Sequence, residues 1–285
     1  MFSHIPFICK LSNNHSSTVL FSPTTYSNAL FWYDFSDSST VSNNGNSNGS
    51  FKVNDKTSNH HDLSLIDTTK YLQTKIVTGA INGKSVLQTN GTLSNNGSTG
   101  MQTTTIPLFN YSSTGAFAIF VIVQPLGGSI NGGLISKAVA QPNPFDIRGS
   151  YRIIGNGSAY NFISSNTVNL GQSATSPMLL VFTYFRTADT TIKNFFEYKN
   201  GNLGTSVNLG NDYGDSILGT RLYIGNRGDG SQCGNHYIGE IIGINANLSE
   251  PDRQRIEGIL CWKWGLNGSL PTIHPFFAAA PTSTS

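Results

Sequence analysis

Two runs of eight residues constrain the fold of this chain most. Residues 116–123 read AFAIFVIV and residues 178–185 read MLLVFTYF. Both are of strand length and lack the apolar–polar alternation of a half-exposed strand, so each has to be buried on both faces. Residues 249–265, SEPDRQRIEGILCWKWG, are written instead as a helix. Ser249 stands where an N-cap belongs, Pro251 falls in the first turn, and Glu250 and Asp252 face the positive end of the helix dipole. Ile256, Leu260 and Trp264 recur every four residues, with Ile259 on the flank, and Gly265 follows as a C-cap glycine. One amphipathic helix after many strands implies a sheet face or edge for it to cover.

The remaining segments read as short strands and turns. Residues 29–35, 51–53, 63–66, 85–87, 134–136, 151–154, 160–163, 221–225 and 237–245 are strand-like. Residues 195–198 and 205–209 flank Asn200-Gly201 as a hairpin. This spacing predicts an all-β sandwich or jelly roll with one C-terminal helix. The expected organisation is an N-terminal arm over 1–27, a β domain over 28–276 and a C-terminal tail over 277–285. The segment FFAAAPTSTS, from Phe276 onward, reads as a second arm for contacts with neighbours.

Charged residues make up 11% of the 285, against about 25% in an ordinary soluble domain. Low charge suits a subunit packed into a larger assembly, and suits a lectin equally. The net charge of +2 comes without a Lys/Arg cluster, which argues against nucleic-acid binding. No apolar run approaches membrane-spanning length, so insertion into a membrane is not expected. The N-terminus lacks the basic start of a signal peptide, and Pro6 interrupts its apolar patch. Cys9, Cys233 and Cys261 are sparse and odd in number, which argues for folding in a reducing compartment.

Several motifs together resemble a known family. Trp32, Asp34, Ser36, Asp37, Ser38, Ser39 and Thr40 follow a Trp-x-Asp-x-Ser-Asp-Ser-Ser-Thr pattern. Asp55-Lys56-Thr57-Ser58-Asn59 resembles an Asp-Lys-Ser-Gly-Asn turn, with Thr57 and Ser58 in place of Ser-Gly. Further matches are Asn82-Gly83-Lys84, Leu222 to Gly225, Gly239-Glu240, Leu248 to Gly258, Lys263-Trp264-Gly265 and Leu270-Pro271 with His274-Pro275. The pattern resembles concanavalin A-like (laminin G-type) jelly-roll domains in structural proteins of large DNA viruses and phages. The resemblance spans roughly residues 28–276. It implies a concanavalin A-like jelly-roll β-sandwich acting as a virion structural protein, either a minor capsid, cement or surface component. Such a protein would contact other capsid proteins in a particle assembled in the host cytoplasm. The alternative it leaves is a carbohydrate-binding adhesin or host-attachment module that recognises surface glycans.

No catalytic residues emerge from the sequence. Glycoside hydrolysis needs two carboxylates across one cleft, and the Glu-x-Asp-x-x-Glu run of enzymes in this jelly-roll class is missing. Glu240 stands alone, and a lone carboxylate cannot serve as both acid and base, so a structural hydrogen-bond role is expected. The chain is accordingly expected not to be an enzyme and to carry no cofactor. Asp34, Asp37 and Asp55 are candidate calcium ligands at a sheet end, although Asp37 and Asp55 also suit turn closure. Arg227-Gly228-Asp229 spells an adhesion tripeptide in a glycine-rich loop, a pattern that also recurs by chance. Tyr213, His236 and Tyr237 are candidates for stacking on a sugar ring. The adjacent pair His60-His61 is poorly placed to chelate one metal. Trp262 and Trp264 are both read as helix-to-sheet packing.

Overall fold

The computed structural model describes residues 26, 28–45, 50–70, 72–90, 99–105, 115–126, 133–136, 146–148, 176–186, 193–208, 221–226 and 233–282. Among them are fifteen strands and one α-helix. The strands are β1 (Ala29–Asp34), β2 (Val41–Ser42), β3 (Lys52–Val53), β4 (Leu63–Leu65), β5 (Thr74–Ile81), β6 (Lys84–Asn90), β7 (Met101–Thr103), β8 (Ala116–Pro125), β9 (Gly133–Ser136), β10 (Asp146–Arg148), β11 (Met178–Arg186), β12 (Lys193–Lys199), β13 (Asn202–Asn208), β14 (Tyr223–Ile224) and β15 (Asn235–Ile244); the helix is α1 (Glu250–Lys263). The first sheet runs β13-β12-β11-β8-β15-β6-β5, with β1 paired to β15 as well. The second runs β10-β9-β14-β7-β4-β3-β2. β15 holds the first sheet together. Along one edge it pairs with β8, and it divides the other between β6 near Asn235–Ile238 and β1 near Glu240–Ile244.

The two apolar runs are β8 and β11, and each serves two cores. Phe117, Ile119, Val121 and Val123 of β8, with Leu180 and Phe182 of β11, point between the sheets. There they meet Val53, Leu63, Met101 and Leu134 of the second sheet. Ala118, Phe120 and Ile122, with Leu179 and Val181, point the other way, against Ile256, Leu260, Cys261 and Trp264 of α1 and its C-terminal side. The molecule is therefore three layers: second sheet, first sheet, helix. Period-two alternation puts successive residues on opposite faces, so a strand buried on both sides shows no polar positions.

α1 begins and ends where its caps place it. Ser249 Oγ accepts the amide of Asp252. At the other end Gly265 has φ +66, Leu266 N donates to Cys261 O at 2.7 Å, and Gly265 N donates to Trp262 O at 3.4 Å. That pair of bonds is a Schellman closure, which needs a left-handed residue that glycine supplies cheaply. Ile256, Leu260 and Trp264 are buried as their spacing predicts, and Ile259 lies partly buried on the flank. The Cys261 thiol is buried as expected, and burial pushes its pKa well up.

Three expectations change. Trp262 is not a helix-to-sheet residue: it lies on the outer side of α1, 36% exposed, and its Nε1 donates to Phe276 O. The segment from Phe276 to Thr282 does not extend as an arm. Phe276 lies on Gly258, where an added Cβ would fall 2.6 Å from the Phe276 Cβ, and Arg255 donates to Thr282 O. β5 is absent from the sequence reading, because an irregularity between Val77 and Ile81, with Gly79 at φ +71, breaks its alternation. Its turn to β6 is Asn82-Gly83, both with positive φ, the residue pair that a tight hairpin favours. The expected strands at 151–154 and 160–163 and the arm over 1–27, apart from Tyr26, lie outside the described residues.

Leu260 is 2% exposed at the centre of the helix–sheet contact. Leu260→Ala is expected to lower stability by about 2–5 kcal/mol in urea unfolding, through lost burial and the cavity left behind.

Candidate functional site

Two places on the first sheet's outer side gather polar chemistry. One is a closed charge network at the junction of β1, β15 and α1. The other is an open groove beyond the edge of the helix.

The network centres on Glu240, 2% exposed. Its Oε1 accepts the indole N–H of Trp32 at 2.6 Å. Its Oε2 accepts that of Trp264 at 2.7 Å and the ammonium of Lys263 at 2.6 Å. Lys263 Nζ also lies 2.6 Å from Asp34 Oδ2. Lys56 Nζ stands 2.6 Å from Asp37 Oδ2 and 3.6 Å from Asp34 Oδ2, over the ring of Trp32. A shift of register in β15 between Ile238 and Glu240 makes this possible. Ile238 faces the sandwich interior and Glu240 the helix, although two residues apart on a regular strand would share a face. Gly239 occupies the bulge because Trp264 lies against it, 2.7 Å from where a Cβ would stand.

Burial pushes the Glu240 carboxyl above its usual range, against the pull of Lys263. Burial works the same way on Asp34, but Lys263, Ser36 and Lys56 outweigh it and hold that carboxyl low. Lys263 loses by desolvation and is nonetheless held high by Glu240 and Asp34. Each charge has a counter-charge and hydrogen bonds, the condition for keeping ions inside a protein. These bonds make Glu240 the centre of the contact between β1, β15 and α1.

The calcium reading of Asp34, Asp37 and Asp55 does not hold. Asp34 Oδ1 accepts from Ser36, and its Oδ2 faces the two ammonium groups. Asp37 caps a 3-10 turn through Ser39 and pairs with Lys56. Asp55 accepts the amides of Trp32, Thr57 and His61 and the hydroxyl of Thr57. Protein donors thus occupy the oxygens that a cation would need. Among the described residues no cluster of His, Cys, Asp or Glu has the makings of a metal centre. His60 has φ +55, and the neighbouring His61 bonds to Thr105 through Nδ1.

The sugar-stacking candidates are scattered. His236 is 2% exposed, and burial pushes its pKa down to about 4; a buried ring offers no face to a ligand. Tyr237 is half-buried at the margin of the helix-side core. Tyr213 and the tripeptide Arg227-Gly228-Asp229 lie outside the described residues.

The groove was missed by sequence reasoning. It encloses about 540 Å³, inside the usual range for small-molecule sites. Its floor is the outer face of β11–β13: Thr183 and Phe185, then Phe196 and Tyr198, then Leu203. The register places Thr183 opposite Phe196, and Tyr198 opposite Leu203, all on the side away from the second sheet. Phe185 and Phe196 stack at 5.8 Å, 15° from parallel. One wall is the start of α1, with Asn247, Glu250, Arg253 and Gln254; the other is Pro271, Ile273 and His274. Leu203 and Ile273 are 56% and 92% exposed at the rim. The Arg253 guanidinium lies 3.8 Å from the Tyr198 ring centre and pairs with the buried Glu257, which His274 Nε2 also meets at 3.1 Å. The available signal was the period-two recurrence of Phe196 and Tyr198, obscured because Phe195 beside them is aromatic and faces the interior.

No family model matches the chain, and no curated protein does. Solved structures do match it. The sialidase of Trypanosoma rangeli in complex with the inhibitor DANA is 13% identical over 83% of this chain and 34% of its own, with a TM-score of 0.48. The receptor binding domain of botulinum neurotoxin D is 11% identical over 81% of this chain and 52% of its own, with a TM-score of 0.51. The binding domain of Paraclostridial Mosquitocidal Protein 1 is 13% identical over 81% and 52%, with a TM-score of 0.48. The chain thus spans about a third of the sialidase and about half of the toxin domains. At such identity the likeness shows the fold alone, a β-sandwich. The expectation that the chain is not an enzyme is corrected by the same set. Sialidases, which are enzymes, stand among the matched structures. No described helix is long and apolar enough to cross a membrane.

Asp37 has its pKa lowered from 3.8 to about 2, foremost by the hydrogen bond from Lys56. Because the folded value lies below the unfolded one, the stabilisation is complete above about pH 4 and disappears as pH falls toward 2. In Lys56→Met, an NMR titration of the Asp37 carboxyl carbon is expected to move back toward 3.8.

Proposed function

We propose that the chain is a carbohydrate-binding module, and that its ligand lies in the groove between the β12–β13 hairpin and α1. The observation that carries this reading is the composition of the groove among the described residues: an aromatic floor that includes the Phe185–Phe196 stack, bounded by amide and carboxylate side chains. A pyranose ring is amphipathic in the same sense. Its C–H faces pack on aromatic rings, and its hydroxyls, which both donate and accept, suit Asn and Gln amides and a Glu carboxylate. The fold supports the reading, since the receptor binding domain of botulinum neurotoxin D is built on a similar sandwich. A printed glycan array is the test. Saturable binding to a defined set of glycans is the expected result, and uniformly blank features at high protein concentration would refute it.

A finer reading keeps the virion assignment. The residues that carry the resemblance to viral jelly-roll domains are those that assemble the Glu240 network, including Trp32, Asp34, Lys263 and Trp264. On this reading the module is displayed on a particle assembled in the host cytoplasm, held by other capsid proteins. Mass spectrometry of purified particles is expected to recover its peptides at constant stoichiometry across preparations.

A further inference from the structure

Resting on the carbohydrate-binding reading above, we infer that the groove accepts uncharged pyranosides and discriminates against sialylated ones. Charge accounting at the wall carries this. Arg253, the one guanidinium among the described residues that line the groove, is 6% exposed. It is covered on one side by Tyr198 and neutralised by Glu257, and its other nitrogen lies 3.7 Å from Glu250. A carboxylated sugar entering the groove finds that cation already taken. His274 is committed as well: its Nε2 meets Glu257, and its Nδ1 accepts the amide of Phe276 at 3.2 Å. The charge left facing the opening is the Glu250 carboxylate, whose side chain is 72% exposed. Among the described residues that line the groove, the ionised side chain exposed at the opening is therefore an anion. The contacts at hand are those a neutral ring uses: the Phe185–Phe196 stack below, with Asn247 and the Gln254 amide, whose Nε2 donates to Glu250 at 3.0 Å, at the side.

Dispersion and the burial of C–H faces supply the attraction, and they do not depend on ligand charge. Like charges across a water-facing groove supply the discrimination, an effect of roughly five- to tenfold in affinity at low salt that shrinks as salt screens it.

The experiment is calorimetric titration of the intact chain with matched oligosaccharide pairs, identical except for a terminal sialic acid, taken from the array's strongest neutral features. The neutral member is expected to bind at least about fivefold more tightly at low salt, with the gap closing at high salt. Phe196→Ala, which opens the floor, and Gln254→Ala, on the helix surface, are each expected to weaken the neutral ligand, the former by about tenfold. Glu250→Gln is expected to narrow the gap between the neutral and sialylated members of each pair. Sialylated members binding as well as or better than their neutral partners would overturn the inference and leave carbohydrate binding standing. Neutral binding indifferent to both Phe196→Ala and Gln254→Ala would overturn it by placing the ligand elsewhere. No response to any glycan would remove the underlying reading as well.

Discussion

The central strands of the first sheet cannot face water on either side. β8 buries every residue from Ala116 to Val123, and β11 every residue from Met178 to Phe182. One face is satisfied by the second sheet and the other only by α1, so the helix seals the first sheet as part of its core. Its placement is then fixed by two means. Ile256, Leu260 and Trp264 supply non-directional burial, which tolerates sliding. Glu240 supplies direction, because an indole on β1, an indole on the C-terminal side of α1 and an ammonium from its last turn all converge on one carboxylate.

That convergence explains why the recognisable motifs lie so far apart in the chain. Trp32 and Glu240 are separated by 208 positions and share one hydrogen bond. Asp34, Lys56 and Lys263 neutralise one another around them. The bulge at Gly239 turns the carboxylate toward the helix, and the ring of Trp264 fills the space a side chain there would need. What reads as a scattered signature is one buried polar cluster, in which removal of a single partner would leave another charge uncompensated.

The groove begins where the helix cover stops. α1 shields β8, β15 and the start of β11, and the sheet continues to β12 and β13 beyond it. There Phe185, Phe196 and Leu203 are left on the open face, with the helix start as a wall. Arg253 and Glu257 mark the border. They occupy the buried side of α1 in place of aliphatic residues, and Tyr198 and His274 complete their surroundings. The same helix therefore contributes an apolar lid at its centre and C-terminal end and a polar wall at its beginning.

Short-range physics was legible in the sequence. Two-sided burial of β8 and β11 followed from uninterrupted apolar runs. The ends of α1 followed from Ser249 and Gly265, and the hairpin between β12 and β13 from Asn200-Gly201. Each is decided by residues within a turn or a strand's length of one another, where periodicity and left-handed glycines act directly. Partners far apart in the chain were not legible. That Glu240 faces the helix depends on a bulge, that Trp262 faces outward depends on where Phe276 returns, and that His236 is buried depends on the sheet closing over it. The groove lay furthest from view, since Phe196, Gln254 and Ile273 come from three separate segments. Only tertiary packing decides which aromatic faces the helix leaves uncovered.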